Sequence, residues 1–147
     1  MRIGGLLEIL WYLSRNPVWK SIQTLDLSHN QIGGKGAEYL SSSTIWNNLQ
    51  VLNLIDNNVG DIGTKYLSSN LIWANLQALD LSWNSIDDKG VEYLISNKIF
   101  INLHTLDLSW NKIGDNEAEY LSNNQIWTKL QTFNLAGHKI SEKELNI

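Results

Sequence analysis

The sequence contains no cysteine, so neither a disulfide framework nor a thiolate metal site is available to it. It also lacks any Asn-X-Ser/Thr acceptor for glycosylation. Both absences fit a cytoplasmic protein, with export into a host cell as the alternative, and the redox compartment itself stays open. Basic charge is scarce as well: 11 Lys and Arg stand against 15 Asp and Glu, for a formal net charge of −4. A nucleic-acid backbone or an anionic membrane is therefore a poor match as main partner, and a protein with a basic surface is electrostatically easier. Long hydrophobic runs are missing too. The opening MRIGGLLEILWYLS is interrupted by Glu8 and no small-residue cleavage site follows, so it does not read as a signal peptide.

What the chain does have is a size and balance suited to one domain that folds in water: 147 residues, 43% hydrophobic and 18% charged. Its organising feature is a repeat. The segments IQTLDLSHNQI, LQVLNLIDNNV, LQALDLSWNSI, LHTLDLSWNKI and LQTFNLAGHKI begin at Ile22, Leu49, Leu76, Leu103 and Leu130, 27 residues apart without insertion. Within each, the first, fourth and sixth residues are apolar, the ninth is Asn30, Asn57, Asn84 or Asn111, and the eleventh is apolar again. Alternation of apolar and polar residues around the fourth and sixth places is the period-2 signature of a strand with one buried face. The asparagines can both donate and accept, so four in register predict an internal hydrogen-bonded ladder between stacked turns.

Asp61, Asp88 and Asp115 follow, as expected helix N-caps, and stretches such as KGVEYLISN predict helices of two to three turns. The pairs Ile45-Trp46, Ile72-Trp73, Ile99-Phe100 and Ile126-Trp127 lead back to the next strand, so these aromatics, together with Trp19, are expected in the core. Tyr12-Leu13 and Val18-Trp19 precede Tyr39-Leu40 and Ile45-Trp46 by one period, which makes residues 1–21 the helix and return of a partial unit. Full units then span 22–48, 49–75, 76–102 and 103–129, and 130–147 is a truncated last unit ending inside an expected helix after Ser141.

These residues, in the pattern LxxLxLxxNxIGDxGaxYL, resemble the leucine-rich repeat proteins and are most similar to the ribonuclease-inhibitor-like subfamily. The resemblance covers nearly the whole chain. It implies an α/β fold: a right-handed solenoid in a curved horseshoe arc, with a parallel sheet on the concave face and helices on the convex face. Departures occur at Gly33-Gly34, at Glu117 in place of a helix glycine, and at His138 in place of the ladder asparagine.

Strands stack about 4.8 Å apart whereas helices need about 8 to 10 Å, so the strand side is the inner face of the curve and the usual binding surface. The fifth-place column, Asp26, Asn53, Asp80, Asp107 and Asn134, is a polar strip that suits a basic partner better than a metal. The eighth-place column varies in almost every unit: His29, Asp56, Trp83, Trp110, Gly137. In a chain otherwise so uniform, that variation marks where structure does not dictate the residue. Trp83 and Trp110 are expected side by side on neighbouring units, near Val51 and Ile55, as anchors of an interface.

Catalytic patterns are weak. GGKG at 33–36 lacks the remainder of a phosphate-loop motif, and His29, His104 and His138 fall in different units and places. The sequence therefore reads as a non-enzymatic module, without cofactor or metal, that binds a protein on its concave face. The candidate contacts are His29, Val51, Ile55, Asp56, Asp80, Trp83, Asp107 and Trp110. The other reading is a scaffold segment of a longer array, or one that self-associates through uncapped ends.

Overall fold

The computed structural model describes residues 5–138. Helix α1 (Leu6–Leu13) and a 3-10 turn (Pro17–Trp19) come first. There follow β1 (Thr24–Asp26), α2 (Gly33–Ser41), β2 (Val51–Asn53), α3 (Gly60–Ser68), β3 (Ala78–Asp80), α4 (Asp88–Ser96), β4 (Thr105–Asp107), α5 (Asp115–Ser122) and β5 (Thr132–Asn134). The strands form one parallel sheet in chain order, and Leu25, Leu52, Leu79, Leu106 and Phe133 lie opposite one another across it. Each strand is only three residues long. Such short strands hold because every unit repeats the same pairing, so the ladder runs across the sheet rather than along it. Ile140 and the expected helix after Ser141 lie outside the described residues.

The core is built by the places the repeat predicts. Leu52, Leu54, Leu79, Leu81, Leu106 and Leu108 are buried between sheet and helices, and Trp46, Trp73, Phe100 and Trp127 close the units from the return side. Burying a side chain of this size contributes about 2 to 3 kcal/mol. Trp19 departs from the expectation, being 43% exposed. The other return-position aromatics are sandwiched between units, and among the described residues no earlier return loop lies against Trp19. Close packing of neighbouring helices depends on glycine, as at Gly63, where a Cβ would stand 2.5 Å from Val59 Cγ1 and 3.2 Å from both Ala37 Cβ and Gly34 Cα.

The predicted asparagine ladder is present and has a direction. Asn84 Oδ1 accepts from the backbone N–H of Asn57 and of Val59 in the preceding unit, while its Nδ2 donates to the carbonyls of Leu54 and Ser82. Asn57 serves Asn30 and Ile32 in the same way, and Asn111 serves Asn84 and Ile86. Asn57 and Asn84 are fully buried, so their four bonding positions are filled inside the protein. A second ladder stands at the helix exits. Asn70 accepts from the N–H groups of Ile72 and Trp73 and donates to Ser41 of the preceding unit. Asn97 repeats the arrangement with Ile99, Phe100 and Ser68.

The aspartates expected as N-caps sit inside the first turn of their own helices instead. Asp61 Oδ1 accepts from Asp87 N–H and Gly90 N–H, 2.8 and 3.1 Å away at the start of the next helix, and Asp88 Oδ1 accepts from Gly114 N–H at 2.7 Å. They cap the neighbour, one unit on. Helix α4 has its own cap in Asp87, whose carboxylate accepts from Lys89 N–H, whereas Asp115 is the first residue of α5, where its charge favours the helix dipole. Burial pushes the Asp61 carboxyl up, against the amide hydrogen bonds that hold it down.

Removing the Asn84 rung leaves two N–H groups and the Leu54 carbonyl without partners, each worth about 1 to 3 kcal/mol, while the Ser82 carbonyl keeps the Asp56 N–H. Asn84→Ala is therefore expected to lose about 3 kcal/mol or more in urea unfolding, while Asn30→Ala, at the exposed end of the ladder, loses about 1 kcal/mol.

His138 weakens the last rung. Its Nδ1 receives a single long hydrogen bond, 3.4 Å from Ile113 N–H, where Asn57, Asn84 and Asn111 each receive two. Burial holds the imidazole below its ordinary value of 6.5, against a smaller upward pull from the Asn111 backbone. A lowered value means that the folded chain resists protonation. Its contribution to stability is thus complete above pH 6.5 and is lost as pH falls through that value and on through the lowered one. His138→Asn is expected to raise stability at neutral pH by about 1 kcal/mol and to remove this acid-side loss, as read by thermal melting between pH 7 and pH 5, roughly either side of the free imidazole value.

Candidate functional site

The eighth place of every unit has the same unusual backbone. His29, Asp56, Trp83 and Trp110 have φ of 59°, 51°, 57° and 56°, and Gly137 has 76°. This left-handed region costs a residue with a Cβ about 1 to 2 kcal/mol and is left mostly to Gly, Asn and Asp. The geometry is held from both sides. Each eighth-place N–H donates to the seventh-place carbonyl of the next unit: His29 to Ile55, Asp56 to Ser82, Trp83 to Ser109 and Trp110 to Ala136, at 2.8 to 3.1 Å. The following asparagine locks the turn from inside. With its backbone so constrained, the side chain is turned outward at the edge of the sheet.

Along this edge the side chains interact in pairs. His29 Nδ1 lies 3.1 Å from Asp56 Oδ2, both groups well exposed. Trp83 and Trp110 stack, with ring centroids 4.8 Å apart and planes 14° from parallel, and each remains 53% exposed. Gly137 completes the column, since a Cβ there would fall 2.5 Å from Trp110 Cδ2. The rings thus support one another as well as facing solvent. Beside them runs a groove lined also by Asp56, Asn58, Ser85, Asn111, Lys112 and Gly137.

The remaining candidates are placed less openly. Asp80 Oδ1 accepts from both the N–H and the hydroxyl of Ser82, and Asp107 Oδ1 from those of Ser109, while Asp107 Oδ2 accepts from Asn134 Nδ2. Much of the capacity of the fifth-place strip is therefore spent within the sheet. Ser28 likewise holds the Asp26 carboxyl below the usual range through its backbone N–H. Val51 and Ile55 are half-buried in the second unit and are not among the residues lining the groove. Lys112, at the tenth place, is a groove residue that the outward columns did not point to; the signal was its position two residues past Trp110. The three histidines stay apart: His29 is paired with Asp56, His104 lies immediately before β4, and His138 sits in the ladder.

Comparison with known proteins gives two positive findings. A family model described as Leucine Rich repeat matches residues 20–41, 47–68, 74–94 and 101–122, more than half of the chain in total. Among solved structures, the chain is similar to "Leiomodin-1 Actin-Binding Site 2 (ABS2)", with a TM-score of 0.60 and 15% sequence identity over 92% of this chain and 78% of that one. At that identity the likeness is one of fold. No curated protein matches the sequence significantly.

Proposed function

The chain belongs to the leucine-rich repeat family, and from that premise we propose that it is a non-enzymatic protein-interaction module whose partner seats on the concave face and its eighth-place edge. The observation that carries this reading is the pair of tryptophans held in left-handed backbone, stacked and half exposed. A scaffold under no demand from a partner has Gly, Asn or Asp available for that backbone, and strain retained at such a place points to use. Exposed aromatic pairs that already order each other lose little rotamer freedom when a partner covers them. Asp56, the most open of the acidic candidates, gives the edge its attraction for a basic surface, with Asp80 and Asp107 adding to the field at longer range.

Fold supports the reading by analogy only: the similar structure is named as an actin-binding site of leiomodin-1. Among the described residues no helix is long and apolar enough to cross a membrane, and a cytoplasmic location remains part of the proposal.

Capture experiments with the Trp83→Ala/Trp110→Ala variant test the assignment. The double variant is expected to keep its circular dichroism and to lose at least about thirtyfold in affinity for the captured partner, since such anchors contribute roughly 2 kcal/mol or more each and the losses of touching residues need not add. Equal capture by both folded chains would remove these rings from the interface.

A second reading, a scaffold that self-associates, is favoured by one observation: Ile9, Tyr12 and Val18 in the first unit are 56%, 58% and 76% exposed. It predicts a weight-average mass that rises with concentration in sedimentation equilibrium and is returned to the monomer by Ile9→Lys. A constant monomer mass for the unaltered chain would contradict it.

A further inference from the structure

The eighth-place stack is closed at one end and open at the other. Gly137 lies against Trp110, and Trp110 covers one face of Trp83. Among the described residues no second ring and no cation lies against the remaining face of Trp83. Because the two rings stack along the direction in which the units succeed one another, that free face is turned toward the second unit. The next side chain in the column on that side is Asp56. An aspartate ends close to the backbone whereas an indole reaches much further, so the outer part of the Trp83 face stands clear beyond the carboxylate. The two borders of the resulting slot are a π face and an anion, both well exposed.

A planar cation that can stack and donate in its own plane fits both borders at once. Resting on the reading of this edge as the partner-binding surface, we propose that the slot between Trp83 and Asp56 receives an arginine side chain of the partner protein. The guanidinium lies flat on Trp83 and directs N–H groups at the Asp56 carboxylate. An ammonium is a compact point charge that cannot cover the ring and reach the carboxylate equally well. His29 occupies Asp56 Oδ2, which leaves Oδ1 for the incoming group. The lysine of the groove, Lys112, belongs to the fourth unit, two strand spacings or about 10 Å along the sheet from Asp56. The chain shows the same pairing within itself: the Arg15 guanidinium lies 4.8 Å from the Trp11 ring centroid.

The test is a titration of the 15N-labelled chain, at low ionic strength, with acetyl-Gly-Arg-Gly-Arg-Gly-amide and its lysine counterpart, following the indole N–H signals. The expected result is a shift centred on Trp83 and tighter binding of the arginine peptide, by at least about threefold. Asp56→Asn, a near-isosteric change at an exposed site, is expected to weaken the arginine peptide by roughly fivefold, and Trp83→Ala by a similar factor. Equal affinity for the two peptides, or no effect of Asp56→Asn, would overturn the arginine assignment. If the double tryptophan variant loses its protein partner while the peptides bind alike, arginine recognition fails and the interaction surface stands. If that variant keeps its partner, the surface itself is misplaced and the slot goes with it.

Discussion

Three successive turns at the edge of the sheet depend on an amide side chain lent by the unit that follows. Asn57, Asn84 and Asn111 reach back to two N–H groups of the preceding turn, groups that would otherwise be buried without partners. The debt is structural as well as energetic. A unit's turn takes its shape only when its successor is stacked on it, so strands of three residues become stable together that would not be so alone. The aspartate caps and the exit asparagines extend the dependence to the helix side: Asp61 and Asp88 bond the start of the following helix, and Asn70 and Asn97 tie each return loop to the preceding helix end. Within such an array the apolar columns determine that units stack, and the amide and carboxylate columns determine in which register.

The same arrangement explains why the eighth-place edge can vary. The ladder and the eighth-place N–H fix the turn from the inside and along the stack, so the eighth side chain contributes nothing to holding its own backbone. It is free to be His, Asp or Trp, at a conformational cost that the surrounding hydrogen bonds outweigh. Neighbours in the column then adapt to each other, as the His29–Asp56 pair and the Trp83–Trp110 stack show. The character of this edge is set by adjacent units jointly, because a strand spacing close to 4.8 Å brings neighbouring rings within the range of an offset stack.

Periodicity made most of the fold legible. Places four, six, nine and eleven declare strand, core and ladder from residue type alone, and Trp46, Trp73, Phe100 and Trp127 are buried where the repeat puts them. Three kinds of information were harder to read. Capping is usually sought within one helix, but Asp61 and Asp88 bond to groups 26 to 29 residues away, a partner visible only once units are stacked. Asn70, Asn97 and Asn124 carry the 27-residue signal of a second ladder, yet polar residues in a return loop look like ordinary solvated ones until their N–H partners are known. For Trp83 and Trp110, adjacency followed from the repeat, but a face-to-face stack closed by Gly137 depends on side-chain rotamers that no residue pattern specifies. The exposure of Trp19 has a similar origin, since a repeat pattern describes an interior unit and the first described unit has a neighbour on one side only.

Native-state amide hydrogen exchange tests the ladder most directly. The turn N–H groups of Ile32, Val59 and Ile86 are satisfied by a side chain of the next unit and should be protected as strongly as the strand amides of Leu52 and Leu79. Ile113, which faces His138, should exchange measurably faster than these three. If all four exchange at the rate of exposed loop amides while the strands stay protected, the asparagines do not hold the turns, and the account of how this edge is kept rigid for a partner fails.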